Sequence, residues 1–137
     1  MAKVFKGQVS IPGDKIDEYF EAMKKAEEER APFKLYIESL RDDFYNSLLE
    51  KYTENTARKH TGTITMFIEF LCRQTDVMSI EEITKSIANT YFRSWYKRKV
   101  WDSATDNDLK VGIKKFFQFL EKEKGITNNK VLPRKKT

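Results

Sequence analysis

The 137-residue chain has one cysteine and one histidine, and these scarcities remove most of the chemistry a small domain can carry. A lone Cys72 excludes an intramolecular disulfide. It continues the apolar side of a helical pattern beside Ile68 and Leu71, so it reads as a small buried hydrophobe rather than a reactive thiol. With His60 alone there is no metal-ligand spacing and no Cys–His or Ser–His–Asp arrangement. The five glycines form no phosphate-cradling loop. Asp42/Asp43 and Glu81/Glu82 are adjacent pairs, which point to different sides of a helix instead of converging for acid–base work. The expectation is no enzyme, no cofactor, no metal and no small-molecule substrate. Long apolar runs are also missing. Nothing approaches the ~18 residues needed to span a membrane, and the N-terminus lacks a signal-peptide core. A cytoplasmic protein with no membrane partner is expected.

What the chain does have is charge, unevenly placed. Lys and Arg number 26 against 21 Asp and Glu, a net +5. Residues 1–50 carry eight cations against eleven anions, and residues 51–137 carry eighteen against ten. A basic block of that size suits a polyanion partner; ordinary solubilising charge is the alternative.

The length fits one domain, and its periodicity predicts an all-α fold. Residues 1–13 could form a short strand or a loose arm, closed by the Pro12–Gly13 turn. From Asp14 an amphipathic helix is expected, with Ile16, Tyr19, Phe20 and Met23 on one stripe and the acidic run Glu27–Glu29 in solvent. Pro32 suits the first turn of a new helix, along which Phe33, Tyr36, Ile37, Leu40, Phe44 and Leu48 recur. Thr53 can cap the next helix, whose inner stripe is His60, Ile64, Phe67, Ile68 and Leu71. His60 is expected to be a hydrogen-bonded histidine at the core edge. Arg58, Lys59, Thr61 and Thr63 fall outside that stripe and form a basic, hydroxyl-rich leading end.

Ile80 and Ile83 anchor a connector, and Thr84 can cap a helix carrying Ile87, Tyr91, Phe92 and Trp95 before the cluster Lys97, Arg98, Lys99. Asp102 or Ser103 can cap a last helix through Leu109, Ile113, Phe116, Phe117 and Leu120. Gly125 then closes it in the left-handed conformation with Ile126 folding back. The divisions expected are 1–30 as an N-terminal arm and acidic helix, 31–127 as the core helical domain, and 128–137 as a basic linker. Aromatics make up 13% of the chain and mostly take core spacing; Tyr52 and Trp101 are the expected exposed exceptions.

Three stretches together resemble a known family. TENTARKHTGTITMFIEFL at 53–71 is similar to the second helix of the core-binding (SAM-like N-terminal) domain of tyrosine recombinases and phage integrases. SIEEIT at 79–84 resembles that domain's connector, and DSATDNDLKVGIKKFFQFLEKEKGITNN at 102–129 its fourth helix. The resemblance covers roughly residues 34–133 and implies a four-helix bundle that clamps one side of double-stranded DNA. It assigns DNA contact to Thr56, Arg58 and Lys59 at the first helix start, and to Thr105, Asn107 and Lys110 at the second; Thr53 and Thr63 join the first group through the hydroxyl-rich leading end of the same helix. Lys97, Arg98, Lys99, Lys114 and Lys115 can add phosphate contacts. Free N–H groups at helix starts attract phosphate, and cations release counterions on binding it.

Two departures stand out. Asp106 and Asp108 open the last helix where the family carries basic or neutral residues; they favour the helix dipole but repel phosphate, so the Thr53–Thr63 region is the stronger contact. The recombinases' catalytic domain does not follow VLPRKKT, so a fragment or free-standing module that cannot cut DNA alone is expected. Other recombinase protomers are possible partners. The competing expectation is a helical interaction module that does not bind DNA, using the Ile16–Met23 stripe.

Overall fold

The computed structural model describes residues 13–99 and 106–132, and every regular element among them is helical. A short 3₁₀ turn at Gly13–Lys15 leads into α1 (Ile16–Leu49). Then come α2 (Glu54–Gln74) and a 3₁₀ turn at Ile80–Glu82. A π-turn at Ile87–Tyr91 runs into α3 (Phe92–Lys99), and α4 (Asp106–Lys124) completes the set. The strand or arm read before Gly13, Trp101, the caps at Asp102 or Ser103, and residues 133–137 lie outside the described residues.

Contacts along the helices set their directions. Arg30 reaches Leu71 and Cys72 while Arg41 reaches Thr65, so α1 and α2 are antiparallel. Asp43 pairs with Lys124 near the end of α4, while Tyr52, just past α1, meets Lys115 nearer its start, so α1 and α4 are antiparallel as well. On α2, Lys59 pairs with Asp108, the Thr63 side chain meets the backbone of Gly112, and Phe67 packs edge-on to Phe117. Steps of four along α2 therefore match steps of about four along α4. These two helices are parallel and begin at the same end of the bundle.

Burial of large apolar side chains drives this packing. Phe44, Phe67, Phe70, Phe92 and Phe116 are fully buried, with edge-to-face ring contacts such as Phe67–Phe92 at 5.1 Å and Phe44–Phe116 at 5.3 Å. The expected stripes on α2 and α4 are buried, joined by Ala57, Phe70 and Phe119, which the periodicity did not single out. The connector anchors Ile80 and Ile83 are buried, and Val77 with them. Thr53 accepts the Thr56 N–H at 3.3 Å and Thr84 accepts the Ile87 N–H at 3.2 Å, so both act as the caps read from sequence. Gly125 has φ 66°, and the Ile126 N–H turns back to the Leu120 carbonyl at 2.9 Å.

Three expectations need correction. Pro32 does not begin a helix: α1 runs through it unbroken for 34 residues. Proline removes the N–H that would reach the Glu28 carbonyl, but both residues are exposed, so water can serve that carbonyl. Tyr36 leaves the buried stripe and is 49% exposed. The segment 128–137 is not linker throughout, because Asn128 is buried. Its amide donates to the Ile80 and Ile83 carbonyls at 2.8 and 2.9 Å, while its side-chain oxygen accepts from the N–H groups of Lys130 and Val131. One side chain thus ties the exit of the bundle to the connector.

Gly112 permits the α2–α4 approach. A Cβ there would lie 3.0 Å from Thr63 Cγ2 and 3.1 Å from Thr63 Cβ. Gly112→Ala gains up to ~1 kcal/mol of helix propensity, whereas overpacking costs ~1–3 kcal/mol. A net destabilisation of about 1 kcal/mol is expected in urea unfolding. Adding Thr63→Ser, which removes the clashing methyl, should recover part of it. A Gly112→Ala protein as stable as wild type would show that the helices yield instead.

Candidate nucleic-acid interface

The parallel packing brings the starts of α2 and α4 together, and α1 and α3 deliver their C-terminal ends to the same place. At this end Lys59 Nζ lies 2.9 Å from Asp108 Oδ1. Asp106 lies 2.9 Å from Lys97 and 3.3 Å from Arg93 of α3. Arg58 pairs with Glu54 one turn earlier on α2. The Tyr52 phenol, on the loop between α1 and α2, accepts a hydrogen bond from Lys115 Nζ at 2.9 Å. Beside it, Lys51, Tyr52 and Lys115 rim a shallow cleft of about 260 Å³ floored by Phe44, Leu48 and Phe119.

Most of the predicted residues meet at this end. Thr53, Arg58, Lys59, Lys97, Arg98, Asn107, Lys110 and Lys114 are exposed, and Thr56 is half-buried with its hydroxyl 3.1 Å from that of Thr53. Asn107, Lys110 and Lys114 follow three- and four-residue spacing along one flank of α4. Among the described residues, no ion pair ties the side chains of Lys51, Arg98, Lys110 or Lys114. Lys99 closes α3, and Thr105 lies outside the described residues.

Thr63 does not belong to the surface. It is 7% exposed, its hydroxyl donates to the Lys59 carbonyl at 3.3 Å, and it faces Gly112. The stripe of α2 is wider than its large apolar residues suggest, because α4 approaches closely enough to bury a threonine.

The electrostatics are mixed. Three of the cations read as DNA contacts, Arg58, Lys59 and Lys97, already hold carboxylates. The hydrogen bond from Lys97 lowers the Asp106 carboxyl below its ordinary value, with the charges of Lys97, Arg93 and Lys110 adding to it and desolvation opposing. The Arg58–Glu54 pair is exposed and the pairs of Asp106 and Asp108 are partly so, which lets a phosphate compete with the carboxylate for each cation. Arg93 is the participant that sequence reading missed; its signal was the polar Asn89–Arg93 pair at i,i+4, seen here as a 2.7 Å hydrogen bond.

His60 sits beneath this end, 7% exposed, with the Tyr52 ring edge-on at 6.4 Å. Its burial is as expected but its bonding is not, since Nδ1 has no hydrogen-bond partner among the described residues. Burial holds the imidazole below its usual value; Lys115 and Lys59 push the same way, and Asp108 opposes them.

Comparison with protein-family models, with curated proteins and with solved structures finds no match to this chain. Among the described residues no helix is long and apolar enough to cross a membrane, and no His, Cys, Asp or Glu group could hold a metal ion.

The His60 environment predicts a pH effect. Its folded value lies below the unfolded one, so the unfolded chain binds more protons between the two, and stability rises with pH there. Stability should therefore be full above about pH 6.5 and fall on acidification toward pH 5. Urea midpoints at both pH values should show the loss, and His60→Gln should flatten it. A wild-type midpoint unchanged between them would overturn the assignment.

Proposed function

We propose that this chain is a DNA-binding module of the tyrosine-recombinase core-binding type, holding duplex through the starts of α2 and α4. The observation that carries this reading is the shared end: parallel α2 and α4 open side by side, ringed by Arg58, Lys59, Lys97, Lys110 and Lys114. The N–H groups of Glu54 and Asn55, in the first turn of α2, have no intrahelical acceptor and can meet a phosphate. Thr53, Asn107 and the cations supply side-chain contacts suited to phosphates and groove edges. Binding on this reading is non-specific or weakly sequence-dependent, dominated by phosphate contacts and steeply weakened by salt. On this reading the role of the module is to hold DNA.

Asp106 and Asp108 act as internal competitors. Each occupies a cation that duplex phosphate would otherwise reach, so binding exchanges carboxylate for phosphate. The exposed Ile16–Met23 stripe favours a second reading, a helical interaction module that does not itself bind DNA.

Fluorescence anisotropy on a short labelled duplex at low salt tests both. Arg58→Glu with Lys59→Glu should weaken binding roughly tenfold to a hundredfold and reduce the slope of log K against log salt by about two. Asp106→Asn with Asp108→Asn should tighten binding roughly threefold to tenfold. Unchanged affinity in both folded variants removes the site. A chain that self-associates but never binds duplex selects the second reading.

A further inference from the structure

The N-terminal half of α1 stands apart from the bundle. From Ile16 to Glu29 every residue is exposed except the half-buried Tyr19, and Arg30 makes the first long-range bonds. Within this stretch Ile16, Phe20 and Met23 are 43%, 59% and 42% exposed. Spaced by four and three residues, they form one apolar stripe on an otherwise charged helix. A helix of this length is marginal in water when nothing covers its apolar side.

We propose that this stripe pairs with the same stripe of a second copy of the chain, the two helices running antiparallel about a two-fold axis beside Phe20. The charges beside the stripe select the occupant and its direction. Asp17 precedes Phe20 and Lys24 follows it; seven residues apart, they lie on the same flank of the stripe. Reversing one helix about a point between Phe20 and Glu21 sets Asp17 of each copy against Lys24 of the other, so one operation forms two ion pairs. The same operation brings the two Phe20 side chains together beside the axis, one residue from level, and each Ile16 within two residues, about 3 Å, of level with the other copy's Met23. In a parallel pair the flank carrying Asp17 and Lys24 faces the opposite flank of the other copy, where Tyr19 and Ala26 stand, so neither ion pair forms. Arg30 lies ~14 Å along the helix from the axis at 1.5 Å per residue, so the two bundles stand clear of each other.

The contact is small. Three apolar side chains on each copy bury less than the ~1,200 Å² of a stable interface, and six acids against two lysines over residues 16–29 add net repulsion. The dimer is therefore weak and concentration-dependent. It involves none of the residues assigned to DNA, and it stands or falls independently of that reading.

Sedimentation equilibrium of the full chain without DNA tests it. The wild type should show a reversible monomer–dimer equilibrium, and Phe20→Asp should weaken it at least ~tenfold. Asp17→Lys or Lys24→Glu alone turns both ion pairs into repulsions and should weaken association roughly threefold to tenfold. The double swap Asp17→Lys with Lys24→Glu restores opposite charges across the axis and should return wild-type association. Thermal melts should match wild type throughout, because these side chains leave the core untouched. A chain that stays monomeric at ~1 mM overturns the proposal, as does a dimer indifferent to Phe20→Asp. So does a double swap that fails to recover, the outcome expected if the acidic helix docks on the basic end of a second copy.

Discussion

Everything at the candidate interface depends on how closely α2 and α4 approach each other. Gly112 has no side chain, and Thr63 fills the space that results, with its hydroxyl held by the Lys59 carbonyl one turn earlier. That contact sets two parallel helices in register, and register decides which charges meet. Lys59 and Asp108 are neighbours because each lies four residues before the close point. The same register brings both helix starts to one end, where their partial positive charges repel. Glu54, Asp106 and Asp108 lie in the first turns of these helices and offset that repulsion.

Those acids give the surface its double character. For the folded chain they complement two helix dipoles and hold Arg58, Lys59, Arg93 and Lys97 in place. On the proposed DNA-binding reading they are also the rivals of an incoming phosphate. The pairs are exposed or partly exposed, so they orient the cations without sequestering them, and among the described residues no ion pair ties Lys51, Lys110 or Lys114, which keeps the local balance positive. His60 lies directly beneath, its imidazole held below its ordinary value by burial first and then by Lys115 and Lys59.

The opposite end is organised by backbone carbonyls. Arg30 donates to the Leu71 and Cys72 carbonyls at 3.3 and 2.6 Å, and the Thr75 hydroxyl donates to Leu71 at 2.7 Å, which satisfies the C-terminal turn of α2. Asn128 does the same for the connector at Ile80 and Ile83. Arg30 is thus where α1 changes from a helix in solvent to a member of the bundle. The division expected at residue 30 exists in the packing although the helix itself passes through it.

The all-α class, the buried stripes of α2 and α4, the caps at Thr53 and Thr84, and the left-handed close at Gly125 were already legible in the order of residues. Each rests on spacing or on a residue's own backbone preference, which are local properties. The exposed cations of the candidate site were legible for the same reason. Thr63, Tyr36, Pro32 and Asn128 were not, because their places depend on a neighbour distant in sequence or on how far one helix extends past another. That α2 and α4 run parallel, that Asp106 and Asp108 hold the cations of α2 and α3, and that Ile16, Phe20 and Met23 stay exposed emerges from the packing alone. Helical periodicity gives the direction in which a side chain points; what stands opposite it is set by packing.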